Sequence, residues 1–138
     1  AAHPGRVVMV ERFDRDLARR IYAGADLFLM PSRFEPCGLT QMIAMKYGTV
    51  PVVRATGGLK DTVFDADYAD KPYHERNGYV FNDFNFRGLE SAMRRAIGMW
   101  YSYPHYFREL IMNGMSYDFS WNHPGQHYLN VYDYIRDK

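Results

Sequence analysis

"LFLMPSRFEPCGLTQMIAMKYGTVPVVRATGG", residues 27–58, reads as two strands joined by a helix. "LFLMP" (27–31) is a short unbroken apolar run stopped by Pro31, whose ring cannot continue a ladder. "LTQMIAMKY" (39–47) has helical spacing and ends at Gly48, and "VPVVRA" (50–55) is a second apolar run. Strands with no polar alternation are buried on both faces. Separated by a helix, they predict a parallel α/β sheet.

The pattern extends in both directions. "RVVMV" (6–10) predicts another buried strand, and in "DRDLARRIYAGAD" (14–26) Leu17, Ala18, Ile21, Tyr22 and Ala25 share one helical face. "TGGLKDTVFD" (56–65) is a glycine turn and a short element. "ADYADKPYHERN" (66–77) is charged and aperiodic, hence an exposed loop, and "GYVF" (78–81) is a short strand. Leu89, Ala92, Met93, Ala96, Ile97 and Trp100 define an amphipathic helix. Two more helices follow, over about 104–116 and 124–136, the second with Tyr128, Val131, Tyr132 and Ile135 on one stripe. The expected fold is a Rossmann-like parallel sheet flanked by helices, in one folding unit over 1–138. A complete sheet of this type has about five or six strands. The others are expected before residue 1, in keeping with a chain that starts at Ala1 without methionine.

Composition narrows the chemistry. The chain has 138 residues, 47% of them hydrophobic, enough for a core. Its 17 basic and 16 acidic residues nearly cancel, so neither nucleic acid nor a membrane is the expected partner. The single cysteine excludes an internal disulfide. Neither G-x-G-x-x-G nor a Walker A sequence occurs, which disfavours nicotinamide and P-loop chemistry. His123 and His127 are one helical turn apart but have no third ligand nearby, so no metal is expected.

In an open parallel sheet, ligands bind beyond the carboxyl ends of the strands. "SRFEPCG" (32–38) lies there, ahead of a helix whose first amides and positive dipole end suit an anion. Gly38 permits close approach to the backbone, and Thr40 adds a hydroxyl donor. Glu35 would repel a phosphate. Two roles stay open for it: an acceptor for hydroxyls of an uncharged sugar, or a cap for the helix that follows. Cys37 is a packing residue or a thiol activated by the helix. Gly57 and Gly58 also follow a strand, and form either a tight turn or part of the ligand edge.

"IYAGADLFLMPSRFEPCGLTQMIAMKYGTVPVVRATGGLKDTVFD" (21–65) resembles the most characteristic segment of bacterial glycogen synthases and plant starch synthases. "NGYVF" (77–81) and "DFSWNHPGQHYLNVYDYIRDK" (118–138) are similar to later parts of the same family, the last nearest in wording to cyanobacterial glycogen synthases and plastid relatives. The resemblance covers nearly the whole chain, more loosely over 66–117.

It implies two Rossmann-like domains around a cleft, with this chain forming the second half of the C-terminal, nucleotide-sugar-binding domain. The implied reaction moves glucose from ADP-glucose to the non-reducing 4-OH of an α-1,4-glucan with retention, using no cofactor or metal. By the same resemblance, Glu35 holds donor glucose hydroxyls and is the catalytic candidate, and Cys37 and Gly38 lie along the sugar. The amides of Gly38, Leu39 and Thr40, with the Thr40 hydroxyl, take the diphosphate, and Phe13 stacks on adenine. Gly57 and Gly58 border the site.

Many related glycosyltransferases carry a second Glu eight positions after the first; here Ile43 stands there. The implied partners are ADP-glucose or ADP, a glycogen or starch acceptor, and an N-terminal domain that carries a lysine-and-glycine donor loop. Without that domain the chain is expected to be inactive. The implied compartment is bacterial cytoplasm, or the plastid stroma of a plant or alga. Two alternatives are a non-catalytic nucleotide-sugar or glucan module and a UDP-sugar-dependent retaining enzyme. The intact helix-mouth residues disfavour the first and "EPCGLTQ" the second.

Overall fold

The structure, a computed structural model, describes residues 3 and 5–138. The side chain of His123 is outside the described set, and with it the His123–His127 pair. Among the described residues, three strands form one parallel sheet in the order β1 (Leu27–Met30), β2 (Val50–Arg54), β3 (Tyr79–Phe81). Leu27 is opposite Val50, and Val52 opposite Tyr79. The helices are α1 (Arg15–Gly24), α2 (Thr40–Lys46), α3 (Leu59–Thr62), α4 (Phe86–Ser102), α5 (Pro104–Ser116) and α6 (Asn122–Arg136).

Local chemistry sets several of these boundaries. The Asp14 carboxylate accepts the Leu17 N–H at 3.0 Å and starts α1. Asn85 does the same for α4 through the Gly88 N–H at 2.8 Å. Pro104 stands in the first turn of α5, where its missing N–H leaves no intrahelical bond unmade.

Successive residues of β2 feed opposite faces of the sheet. Val50 and Val52 pack with Tyr79, Phe81, Ala92 and Leu110, under α4 and α5. Val53 packs with Met45, Leu59 and Val63, under α2 and α3. Both sides of the central strand are therefore dry, which is why its sequence shows no alternation.

Two expectations change. Residues 6–10 form no strand, and Val7, Val8 and Met9 are at least 75% exposed. A valine run has the side chains of a strand, but it becomes one only beside another strand that takes up its N–H and C=O groups. Among the described residues none lies there. The segment 66–77 is not simply an exposed loop: Ala66 and Asn77 are buried, and a single 3-10 turn spans Tyr73–Glu75. The stripe of α6 is uncovered, with Tyr128, Val131, Tyr132 and Ile135 each more than half exposed.

The buried ends of segment 66–77 are held by polar groups. Asp65 forms a bridge with Gly78, and its carboxylate accepts the N–H groups of Asp67, Tyr68 and Val80. Arg95, from α4, donates to both Asp65 oxygens at 2.8 and 2.9 Å and to Asp67 at 2.7 Å. Burial pushes the Asp65 carboxyl up, but the hydrogen bonds from Arg95 and the backbone outweigh it and hold it below its ordinary value. Asn77 donates to the Thr62 carbonyl and accepts the Phe64 N–H. Asn113 of α5 donates to the carbonyls of Tyr73 and Arg76.

Candidate functional site

The strands end together, so the residues after Met30, Arg54 and Phe81 form one rim. The first loop carries Glu35, Cys37 and Gly38 into α2. The second carries Gly57 and Gly58 into α3. These two loops meet backbone to backbone. A β-carbon on Gly57 would overlap the Glu35 carbonyl, and one on Gly58 would overlap the Cys37 carbonyl. The Gly58 N–H also donates to the Pro36 carbonyl at 3.3 Å. Gly57 (φ +48°) and Gly38 (φ +74°) both adopt left-handed backbone, which other L residues enter at a cost. Gly57 and Gly58 are thus a contact surface for the Glu35 loop as well as a turn.

The cap reading of Glu35 does not hold. Helix α2 begins after Leu39 and no side chain caps it. Glu35 is half-buried, and its carboxylate has neither a hydrogen bond nor an ion pair among the described residues. It is available as an acceptor for something outside the chain. Cys37 is exposed and free, and Leu39 is 64% exposed. The Thr40 hydroxyl donates to the Met30 thioether at 3.2 Å. That acceptor is weak and the hydroxyl can rotate away from it.

Phe13 lies apart from the two loops, before α1, and is 88% exposed. It lines a cavity of about 320 Å³ with Arg15, Tyr22, Ile43 and Tyr47. The aromatic ring and Ile43 therefore face one space along the outer side of α2.

Three further residues were not picked out from sequence. Arg54, at the end of β2, donates to the carbonyls of Ser32 and Arg33 at 3.3 and 3.0 Å and so fastens the start of the Glu35 loop. Phe84 lies on the third loop of the rim, under the guanidinium groups of Arg54 and Arg33 at 5.4 and 5.8 Å. Gln41 is fully buried, and its amide nitrogen is 2.7 Å from the Gly38 carbonyl and 3.0 Å from the Thr62 hydroxyl. A sequence signal existed for Gln41: it shares a helical face with the buried Ala44 and Met45, where a polar side chain is out of pattern. No such signal marks Phe84. Among the described residues, no three His, Cys, Asp or Glu side chains are grouped to hold a metal ion. Among them too, no helix is long and apolar enough to cross a membrane.

The chain is similar to known proteins in sequence and in fold. Glycogen synthase 1 of Nitrosococcus oceani is 72% identical over 125 residues, which cover 91% of this chain and 26% of that protein. Glycogen synthase 1 of Synechococcus sp. (strain JA-2-3B'a(2-13)) is 58% identical over 127 residues, with the same coverage of 91% and 26%. The solved catalytic domain of starch synthase IV from Arabidopsis thaliana, bound to ADP and acarbose, matches with a TM-score of 0.84 and 41% identity. That match covers 92% of this chain and 26% of the starch synthase chain. The chain thus spans about a quarter of the length of these relatives. The family profile described as "Glycosyl transferases group 1" matches residues 4–109, and the chain belongs to that family.

Proposed function

We propose that this chain is the second half of the nucleotide-sugar-binding domain of an ADP-glucose-dependent glucan synthase. Its parent protein would transfer glucose from ADP-glucose to the non-reducing 4-OH of an α-1,4-glucan with retention. One observation carries this reading. The Glu35 carboxylate has no partner among the described residues, and it stands on a loop pressed against two glycines, in a fold shared with a starch synthase bound to ADP and acarbose. A carboxylate free at the ligand edge suits a neutral polyol and would be a poor neighbour for a phosphate.

In this reading Glu35 accepts hydrogen bonds from the donor glucose, and Cys37 and Gly38 border the sugar. The diphosphate lies against the amides of Gly38, Leu39 and Thr40, with the Thr40 hydroxyl turning from Met30 toward it. Adenine stacks on Phe13 in the cavity beside Ile43, which supports a nucleoside site without the second carboxylate. No metal or other cofactor takes part. Charge on the departing ADP is stabilised mainly by groups of the partner domain, so the chain alone does not catalyse transfer.

The test is a competition assay on the full-length protein, with labelled ADP-glucose and UDP-glucose and glycogen as acceptor. The expected outcome is incorporation predominantly from ADP-glucose. Preference for UDP-glucose would move the protein to another branch of the family, and no transfer from either would remove the synthase reading. The 138-residue chain assayed alone is expected to give no incorporation.

A further inference from the structure

We propose that Gln41 is a positioning residue that sets the direction of the Leu39 amide and ties the Glu35 loop to the Gly58 turn. The proposal rests on the donor-site reading above. Gln41 has 0% exposure. Its side-chain nitrogen meets three oxygens: the Gly38 carbonyl at 2.7 Å, the Thr62 hydroxyl at 3.0 Å and the Cys37 carbonyl at 3.5 Å. Three oxygens around one end of the amide identify that end as the donor, since an oxygen there would face the Gly38 carbonyl at close range. The Thr62 hydroxyl in turn donates to the Gly58 carbonyl at 2.8 Å. An unbroken chain of hydrogen bonds therefore runs from the Gly38 carbonyl through Gln41 and Thr62 to the Gly58 carbonyl.

The consequence follows from peptide geometry. The Gly38 carbonyl and the Leu39 N–H belong to one planar trans unit and point in opposite directions. Holding the carbonyl against the buried Gln41 therefore turns the Leu39 N–H outward, on the side assigned to the diphosphate. Gly38 needs this restraint more than most residues, because it has no side chain and a positive φ. Among the described residues the Gln41 Oε1 atom has no hydrogen-bond partner, and it stands 2.6 Å from the position of a β-carbon on Gly38. An apolar residue of similar size would remove that acceptor but would also take the donor away from the Gly38 carbonyl and the Thr62 hydroxyl, so the amide is used here for its direction.

The experiment uses the full-length protein with Gln41→Met, Thr62→Val, Thr62→Ser and the Gln41→Met/Thr62→Val double variant. Kinetics are measured separately against ADP-glucose and glycogen, with Tm recorded for each. Gln41→Met should lower kcat/KM for ADP-glucose about tenfold or more, leave KM for glycogen within about twofold, and move Tm by no more than about 3 °C. Thr62→Val should act in the same direction, Thr62→Ser should restore wild-type behaviour, and the double variant should be no worse than Gln41→Met.

Equal losses toward donor and acceptor, or losses that track Tm alone, would overturn the positioning role. So would additive effects in the double variant. Amide hydrogen exchange without substrate separates this proposal from the donor reading. If wild-type protein does not use ADP-glucose, the donor reading fails, and exchange still tests the tie between loops. Gln41→Met should speed exchange in both peptides, 35–41 and 56–62. A change confined to 35–41 would show that no tie exists.

Discussion

The main-chain carbonyl of Glu35 occupies the space that a β-carbon on Gly57 would need. The candidate sugar-binding acid and the second glycine loop are therefore in contact through backbone, with no side chain between them to absorb a change. Gly57→Ala would force the loops apart and would also place alanine at φ +48°, where an L residue is disfavoured by roughly 1–2 kcal/mol. The expected result in the full-length protein is a lower Tm and a loss of activity beyond what that Tm accounts for. Gly24→Ala is the control. Gly24 lies in α1 with nothing near its would-be β-carbon, so the change should stabilise by about 0.5–1 kcal/mol. Similar behaviour of the two variants in thermal melts and rate assays would dismiss the contact as unimportant.

Glu35→Ala addresses the chemistry directly. In the proposed role, loss of the Glu35 carboxylate should raise the transition-state barrier by about 3 kcal/mol, roughly a hundredfold in kcat, with little effect on KM for the glucan. Initial rates on the full-length protein decide it, and near-normal turnover would rule out the role.

The Asp65–Arg95 pair predicts a pH effect. Asp65 is held below its ordinary pKa of 3.8, so its contribution to stability is complete at neutral pH. It should decline as pH falls below that value and vanish once pH passes below the folded-state pKa. Tm measured against pH should therefore drop more steeply in acid for wild type than for Asp65→Asn. Arg95→Met leaves the Asp65 carboxylate buried, with 8% of its side chain exposed, and should destabilise by about 3–5 kcal/mol at neutral pH. Parallel acid limbs would remove the pair as their cause.

Tyr79 carries the opposite kind of polar group. Its ring is fully buried, and its hydroxyl has no hydrogen-bond partner among the described residues. Burial pushes its pKa well above that of an ordinary phenol. Tyr79→Phe removes an unpaired hydroxyl and little packing, so stability should hold or rise by up to about 1 kcal/mol. Urea denaturation gives the value, and a marked loss would reveal an interaction of the hydroxyl.

The sheet and helices were legible because their signals are local. β2 reads as a doubly buried strand from Val50, Val52 and Val53 alone, and the Leu89–Trp100 spacing places α4. Residues 6–10 misled because a valine run specifies side chains suited to a sheet, whereas a strand requires a neighbour. Segment 66–77 misled because its charge suggested water, yet the anchor at its start is Arg95, thirty residues beyond Asp65. At the site, motif spacing marked Glu35, Gly38, Gly57 and Gly58 but not why they matter together. Their association comes from loops meeting in space, as do the contributions of Arg54, Gln41 and Phe84.

The bridge between Asp65 and Gly78, reinforced by Asn77, closes a loop at its base. Once both stems are fixed, extra chain between them adds closure entropy only slowly, so length is cheap there and expensive elsewhere on the rim. The exposed stretch around Tyr68 and Asp70 lies on this closed loop. It is the natural place to splice in a reporter or an affinity tag while keeping the sheet and its rim in register.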